Sequence, residues 1–209
     1  MGKRTVTVTG TGRANVAPDV VRLDLRVGHD APDVAAALSG ASAGITAVAA
    51  VVREQGVADA DLRTLDASVN QRWDNTGVAV GFTAQQRLAV TVRELDAVGR
   101  ILESAAAAIG NALLVDQVRL DISDRSRGLR EARDAAFADA RSKAEQYAAL
   151  AGASLGAVLG VAEAGAAPVV GGGFKLEAMA RDMAGGMPVE GGDLELAASV
   201  TVTWQLGRH

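Results

Sequence analysis

The sequence predicts an α+β fold, with antiparallel sheets that carry helices on one face. Two observations predict this class. Segments with apolar residues at every second position alternate with segments whose apolar residues recur every three or four positions, as in strands and helices. The last segment, from Leu194 to Leu206, alternates strictly between apolar and polar residues. Such a strand has one buried and one wet face, which is typical of an antiparallel sheet covered on one side.

The N-terminal region predicts two strands. Residues 5–9 alternate Thr with Val and indicate a short strand, and we expect a turn at Gly10-Thr11-Gly12. Pro18-Asp19 opens a second strand, in which the apolar residues from Val21 to Val27 share one phase and Arg22, Asp24 and Arg26 the other.

The first helix is predicted from Asp30, a candidate N-cap, to about Gln55, and Gly56 suits the C′ position. Its residues 34–52 carry no charge and approach the length of a membrane span. Most of them are small, however, and the larger ones form one helical stripe. We therefore expect a helix packed on a sheet and no transmembrane segment; the stripe consists of Val34, Leu38, Ala41, Ile45, Val48 and Val52.

A hairpin follows. Residues 62–73 and 80–92 both alternate, and Asp74-Asn75-Thr76-Gly77 between them supplies turn residues. The remaining predicted elements are a helix over 95–109, a strand over 113–122, a long helix over 124–150, a strand over 155–162 and the last strand. The apolar stripe of the long helix comprises Leu129, Ala132, Ala136, Ala140, Ala144, Tyr147 and Ala151.

The element order predicts two subdomains. Residues 18–122 read β-α-β-β-α-β, the ferredoxin-like unit. Residues 1–17 and 123–209 form a discontinuous second α+β subdomain with the long helix and the C-terminal strand. The words Val21-Arg22-Leu23-Asp24-Leu25 and Val118-Arg119-Leu120-Asp121-Ile122 are nearly identical, and they fall on strands that this topology makes neighbours.

The composition offers little for catalysis. The chain has no Cys, two His and a net charge of −4, which argues against thiolate chemistry, histidine catalysis and nucleic-acid binding. Gly10-Thr11-Gly12 lacks the rest of a dinucleotide fingerprint, and Ser42 and Ser154, each in Gly-x-Ser-x-Gly, lack the strand–Ser–helix order of a nucleophile elbow. A metal cluster is not indicated either, although Asp24, His29, Asp30 and Asp33 lie close in sequence. We expect no catalytic residues, cofactor or metal.

Two segments remain as candidate contacts. Arg125, Arg127, Arg130 and Arg133 begin the long helix and are either an ion-paired surface or an anion patch. A Gly- and Met-rich loop spans about 165–192. Its apolar residues either pack against the rest of the chain or contact another subunit or a partner protein. They are Phe174, Met179, Met183 and Met187.

Several motifs together resemble the SIMPL-domain family, the bacterial periplasmic immunogenic proteins and their oxidative-stress relatives. They run in order over nearly the whole chain. They are residues 6–12 with Pro18-Asp19, Gly56-Val57 with residues 61–64, residues 140–144 with Gly152, Leu155 and Gly156, and Pro188-Val189-Glu190-Gly191.

The resemblance implies a self-associating α+β protein, in at least one relative a large channel-like ring, with no known enzymatic activity. We therefore expect a non-enzymatic homo-oligomer with a role in envelope or stress physiology, which can also bind a protein partner. The alternative is a ligand-binding domain or enzyme that uses a cleft between the two α/β layers. No signal peptide is recognisable in the sequence, so we expect a cytoplasmic protein if the chain is complete, and a periplasmic or exported one if a signal peptide has been removed.

Overall fold

Two antiparallel sheets and three α-helices form the part of the chain that the computed structural model describes, residues 4–164 and 192–208. The predicted α+β class is confirmed. The elements in chain order are β1 (Thr5–Val16), β2 (Val20–Ala31), α1 (Val34–Glu54), β3 (Leu62–Trp73), β4 (Ala79–Val92), α2 (Ala97–Ile109), β5 (Leu113–Asp121), α3 (Ser126–Leu150), β6 (Ala153–Glu163) and β7 (Leu194–Arg208).

Contacts divide these residues into two units, and the first holds residues 4–17, 122–164 and 192–208. Its three-stranded sheet has the order β1-β7-β6, with β7 antiparallel to both neighbours. Helix α3 packs on one face of this sheet through a stripe of small residues one turn apart. The buried members of that stripe are Gly128, Ala132, Ala136, Ala140, Ala144 and Ala148.

The predicted turn at Gly10-Thr11-Gly12 is wrong, because β1 continues through it to Val16. The glycines allow the sheet to approach α3 closely. A Cβ at Gly10 would lie 2.1 Å from the carbonyl oxygen of Ala136, and one at Gly12 would lie 2.1 Å from that of Ala132. The two glycines therefore serve packing between strand and helix backbone, as glycine does where backbones meet.

The predicted long-helix stripe needs two corrections, and one is Ala151, which is exposed and lies just beyond the end of α3. Tyr147 was predicted on the buried face, but its side chain is 55% exposed, and Ala148 takes the buried position. The helix thus keeps alanine along its full contact with the sheet, and the phenol ring lies at the side of that contact. Leu150 is exposed as well.

The second unit, residues 18–121 of the described chain, is built on a four-stranded antiparallel sheet. The strand order is β3-β4-β2-β5, so the two similar sequence words lie side by side, with Val21 opposite Leu120 and Leu23 opposite Val118. Helices α1 and α2 bury apolar side chains with this sheet, among them Val48 and Ile101. The ferredoxin-like description stays a prediction.

The start of α1 differs from the expected one. Asp33, not Asp30, is the N-cap, because its carboxylate accepts the backbone N–H of Ala36 at 2.9 Å. Asp30 belongs to β2, where its carboxylate lies 2.9 Å from the guanidinium of Arg72. The chain leaves α1 through Gly56, whose φ of 91° is unfavourable for other residues.

Helix α1 is long and apolar enough to cross a membrane by length and composition. A core helix of a soluble protein passes the same test. In the second unit its buried stripe packs with the sheet; the stripe consists of Ala37, Ala41, Ile45, Val48 and Val52.

Candidate functional site

The first candidate site is a groove of about 650 Å³ within the first unit, which we call the β1–α3 groove. One wall is the edge of β1 that faces away from β7, and the other is the side of α3. Its lining consists of residues 5–9, Lys143, Tyr147, Ala151 and Leu206. Helix α3 packs closely on β1 at Gly10 and Gly12, and the groove lies beside the residues of β1 that precede this contact.

Two side chains of α3 close one end of this groove by bonding to the edge of β1. The carboxylate of Asp139 accepts the backbone N–H of Thr11 at 2.8 Å. The ammonium of Lys143 donates to the carbonyl oxygen of Thr9 at 3.1 Å and to Asp139 at 2.7 Å. The hydrogen bond from Lys143, and then that from the Thr11 backbone, lower the pKa of Asp139 below its usual value.

Neither Asp139 nor Lys143 was predicted as a site residue, although Lys143 lies in the motif at residues 140–144. Their spacing of four residues is recognisable in the sequence as a helical ion pair, but such pairs are common on helix surfaces. Only the position of β1 beside α3 turns this pair into a cap for the backbone of an edge strand.

A second groove, of about 470 Å³, lies on the polar face of the four-stranded sheet, and its charges are paired. Arg26 contacts Asp116 at 2.7 Å, and Arg87 forms an ion pair with Asp66. The hydrogen bond between the latter two lowers the pKa of Asp66 and raises that of Arg87. Because each guanidinium already has a carboxylate, this groove is better suited to holding strands together than to binding an anion.

The end of the β3–β4 hairpin carries exposed apolar side chains, which we call the hairpin tip. Trp73, Val78 and Val80 are 60%, 58% and 48% exposed. The turn between the strands is held by Asp74, whose carboxylate accepts the backbone N–H groups of Thr76 at 2.8 Å and Val78 at 2.9 Å. The tip is therefore an ordered projection with an apolar surface.

The four predicted arginines do not all point at one site. Arg133 lies 2.8 Å from Glu163 on β6, and Arg127 lies 3.5 Å from Glu131 one turn along the helix. Arg125 is the N-cap residue of α3, and Arg130 lies within that helix. The anion patch stays a prediction, and the ion-paired alternative describes at least two of its members. The predicted loop contacts Phe174, Met179, Met183 and Met187 lie outside the described residues.

The remaining motifs are placed in secondary structure. Ser42 lies inside α1, where its carbonyl oxygen accepts the Thr46 hydroxyl at 2.8 Å, and Ser154 lies in β6. His29 packs against the backbone of α1, since a Cβ on Gly40 would lie 2.1 Å from the imidazole ring. Within residues 4–164 and 192–208, no group of three His, Asp or Glu side chains is arranged to hold a metal ion.

Comparison with known proteins gives a consistent result. Residues 6–204 match the family model SIMPL, described as "Protein of unknown function (DUF541)". The chain is similar to the 26 kDa periplasmic immunogenic protein of Brucella melitensis biotype 1 and to its namesake in Brucella abortus strain S19. Each is 29% identical over 175 residues, which cover 78% of this chain and 68% of the relative. Both names place those relatives in the periplasm, so the cytoplasmic expectation gains no support from them.

Proposed function

The chain belongs to the SIMPL family, as its motifs indicated, and from this premise we propose that it is a non-enzymatic protein that self-assembles in the periplasm. The relatives are named as immunogenic proteins and not as enzymes. We propose a closed assembly, such as a ring or channel, with a role in envelope or stress physiology. Most soluble homo-oligomers have closed symmetry, and a ring forms when one surface of a chain binds a second surface of its copy with a rotation that closes.

The hairpin tip is the observation that supports self-assembly. Trp73 and Val80 lie on the strands that also carry Val69, Phe82 and Ala84, which belong to or pack against a buried cluster with α1. The apolar stripe of the hairpin thus extends past the part that α1 covers. Clustered exposed apolar side chains, a tryptophan among them, are typical of surfaces that bind protein.

The test is the mass of the native protein by light scattering coupled to size exclusion. We expect the mass of the wild type to be a whole-number multiple, two or greater, of the 21.2 kDa of one chain. The double variant Trp73→Gln with Val80→Thr should shift toward the mass of one chain, because it makes the tip polar without altering the core. Val161→Thr is the matched control, since Val161 is 57% exposed on β6 in the other unit. A wild type that stays monomeric at high concentration would contradict the proposal.

The periplasmic location has a separate test. We expect osmotic shock of the source cells to release the native protein, detected by antibody, together with a periplasmic marker enzyme. Retention of the protein in the shocked cells with a cytoplasmic marker would contradict the periplasmic location. It would not bear on self-assembly, since the two tests are independent.

A further inference from the structure

The direction of the backbone groups of β1 follows from its contacts. In an antiparallel strand, the N–H and C=O of one residue point to the same edge, and the edge changes at each residue. The carbonyl oxygen of Arg4, just before the strand, accepts the N–H of Leu206 at 2.8 Å. The backbone N–H and C=O groups of the even-numbered residues therefore point to β7. The C=O of Thr9 and the N–H of Thr11 bond to side chains of α3 on the opposite edge. The backbone N–H and C=O groups of the odd-numbered residues therefore point to the groove.

The threonine hydroxyls agree with this assignment. Those of Thr7 and Thr203 are 2.9 Å apart, and so are those of Thr9 and Thr201. Cross-strand side chains approach most closely at pairs whose backbones do not bond to each other. Thr7 therefore belongs to the same series as Thr9, and so does Thr5.

The protection of this edge stops at Thr9. Asp139 and Lys143 replace a neighbouring strand for Thr11 and Thr9, but the next positions along that side of α3 are Tyr147 and Ala151. Among the described strands, β7 is the only one that pairs with β1. The N–H and C=O groups of Thr5 and Thr7 thus face the groove without a strand opposite them. Natural sheets normally cover or block such groups.

The groove also has the side chains that an added strand needs. Val6, Val8 and Leu206 provide apolar lining on the sheet side, and the ring of Tyr147 provides it on the helix side. Side chains of a strand point alternately to its two faces. A strand laid along Thr5 and Thr7 would direct every second side chain toward this lining and the others to solvent.

The closed end of the groove offers one hydrogen-bond donor. Lys143 has three N–H donors, and its two hydrogen bonds go to Thr9 and Asp139. The ammonium side chain is 42% exposed, so its third N–H can reach an acceptor in the groove. Asp139 already neutralises this ammonium, so a neutral acceptor such as a backbone carbonyl oxygen suits this end better than a carboxylate.

From these contacts we propose that the β1–α3 groove is a peptide-binding site for an extended segment of another protein. The segment pairs as a strand with Thr5 and Thr7, directs alternate apolar side chains toward Val6 and Tyr147, and places a backbone carbonyl oxygen near Lys143. Main-chain pairing of this kind supplies affinity, and the pockets for alternate side chains supply specificity.

The test uses the full chain and a fluorescein-labelled synthetic peptide, Thr-Val-Thr-Val-Glu-Gly, with fluorescence anisotropy as the readout. We expect saturable binding by the wild type. Thr7→Pro should weaken it at least about tenfold, because proline removes an N–H that faces the groove and leaves the backbone hydrogen bonds with β7 in place. Arg141→Ala is the matched control; Arg141 lies on α3 but pairs with Glu145 at 2.9 Å, and binding should be unchanged.

Modified peptides separate strand addition from simple adhesion. One version is N-methylated at the odd-numbered residues and the other at the even-numbered residues. Only the version whose methyl groups replace the N–H groups that point to β1 should lose binding. A peptide with Ser in place of both Val residues should bind several-fold more weakly, because it loses the alternate apolar side chains. Tyr147→Ala provides a second protein variant if Thr7→Pro lowers the melting temperature.

Three results would overturn the proposal. The first is an absence of saturable binding up to about 1 mM peptide. The second is equal binding of both N-methylated peptides. The third is a Thr7→Pro variant whose native mass falls while the wild type binds no peptide, which would make the groove a contact between copies. The hairpin-tip variants should bind the peptide normally, so failure of the proposed self-assembly is distinguishable from failure here.

Discussion

The carboxylate of Asp139 on α3 accepts the backbone N–H of Thr11 on β1 at 2.8 Å, across 128 residues of sequence. With Lys143, it forms the neighbour that an edge strand otherwise lacks. The hydrogen bonds depend on the charge of Asp139, and they therefore connect a surface ion pair to the stability of the first unit.

This relationship predicts a dependence on acid. The pKa of Asp139 is lowered in the folded protein below its usual 3.8, so its stabilising contribution is present above that value and is lost as pH falls below it. We expect Asp139→Asn to lower the melting temperature at neutral pH, with a difference from wild type that shrinks below pH 3.8. Circular dichroism melting across pH measures this. Asp134→Asn on the same helix is the control, and a gap that stays constant with pH would contradict the prediction.

The close approach of β1 and α3 predicts that Gly12→Ala is strongly destabilising. The new methyl group would lie 2.1 Å from the backbone carbonyl oxygen of Ala132, and neither group can rotate away. We expect a loss of about 3 kcal/mol in the free energy of unfolding, measured with urea. Gly160→Ala on β6 is the control, since its Cβ would meet no described atom within 4 Å. Equal effects of the two substitutions would show that strand glycine itself matters, and not the packing.

The contact between His29 and Gly40 predicts a coupling between two single variants. Gly40→Ala should cost about 1 kcal/mol, because its Cβ would lie 2.1 Å from the imidazole ring, and His29→Ala should remove that cost. Gly44→Ala serves as the comparison; its Cβ would meet Val27 at 2.6 Å, so His29→Ala should not relieve it. Additive effects of Gly40→Ala and His29→Ala in denaturant unfolding would disprove the contact.

The N-cap assignment predicts different costs for two nearby aspartates. Asp33→Ala should destabilise by about 1 kcal/mol, since it removes the acceptor for the N–H of Ala36. Asp30→Ala should cost less, about 0.5 kcal/mol, because its ion pair with Arg72 and its hydrogen bond from the Thr83 hydroxyl both lie at the surface. The melting temperatures of both variants test this prediction. A larger loss for Asp30→Ala than for Asp33→Ala would contradict the assignment of Asp33 as the N-cap.

Much of the fold was predictable because burial follows simple periods. The β3–β4 hairpin and the end of α2 at Ile109 agree with the alternation and the turn residues at those places. The candidate site was less predictable. The arginines of α3 stand out in the sequence by density, whereas the Asp139–Lys143 pair looks like any other surface ion pair.

The sequence by itself determined the class of fold, the phases of the strands and the absence of thiol chemistry, since each depends on local periodicity or composition. Only the tertiary structure decided that Gly10 and Gly12 lie within a strand, because their role is contact with a helix that begins more than a hundred residues later. The tertiary structure likewise decided which backbone groups of β1 bond to side chains of α3 and which lack such a partner. Edge exposure is a property of neighbours in space, and no local pattern in the chain encodes it.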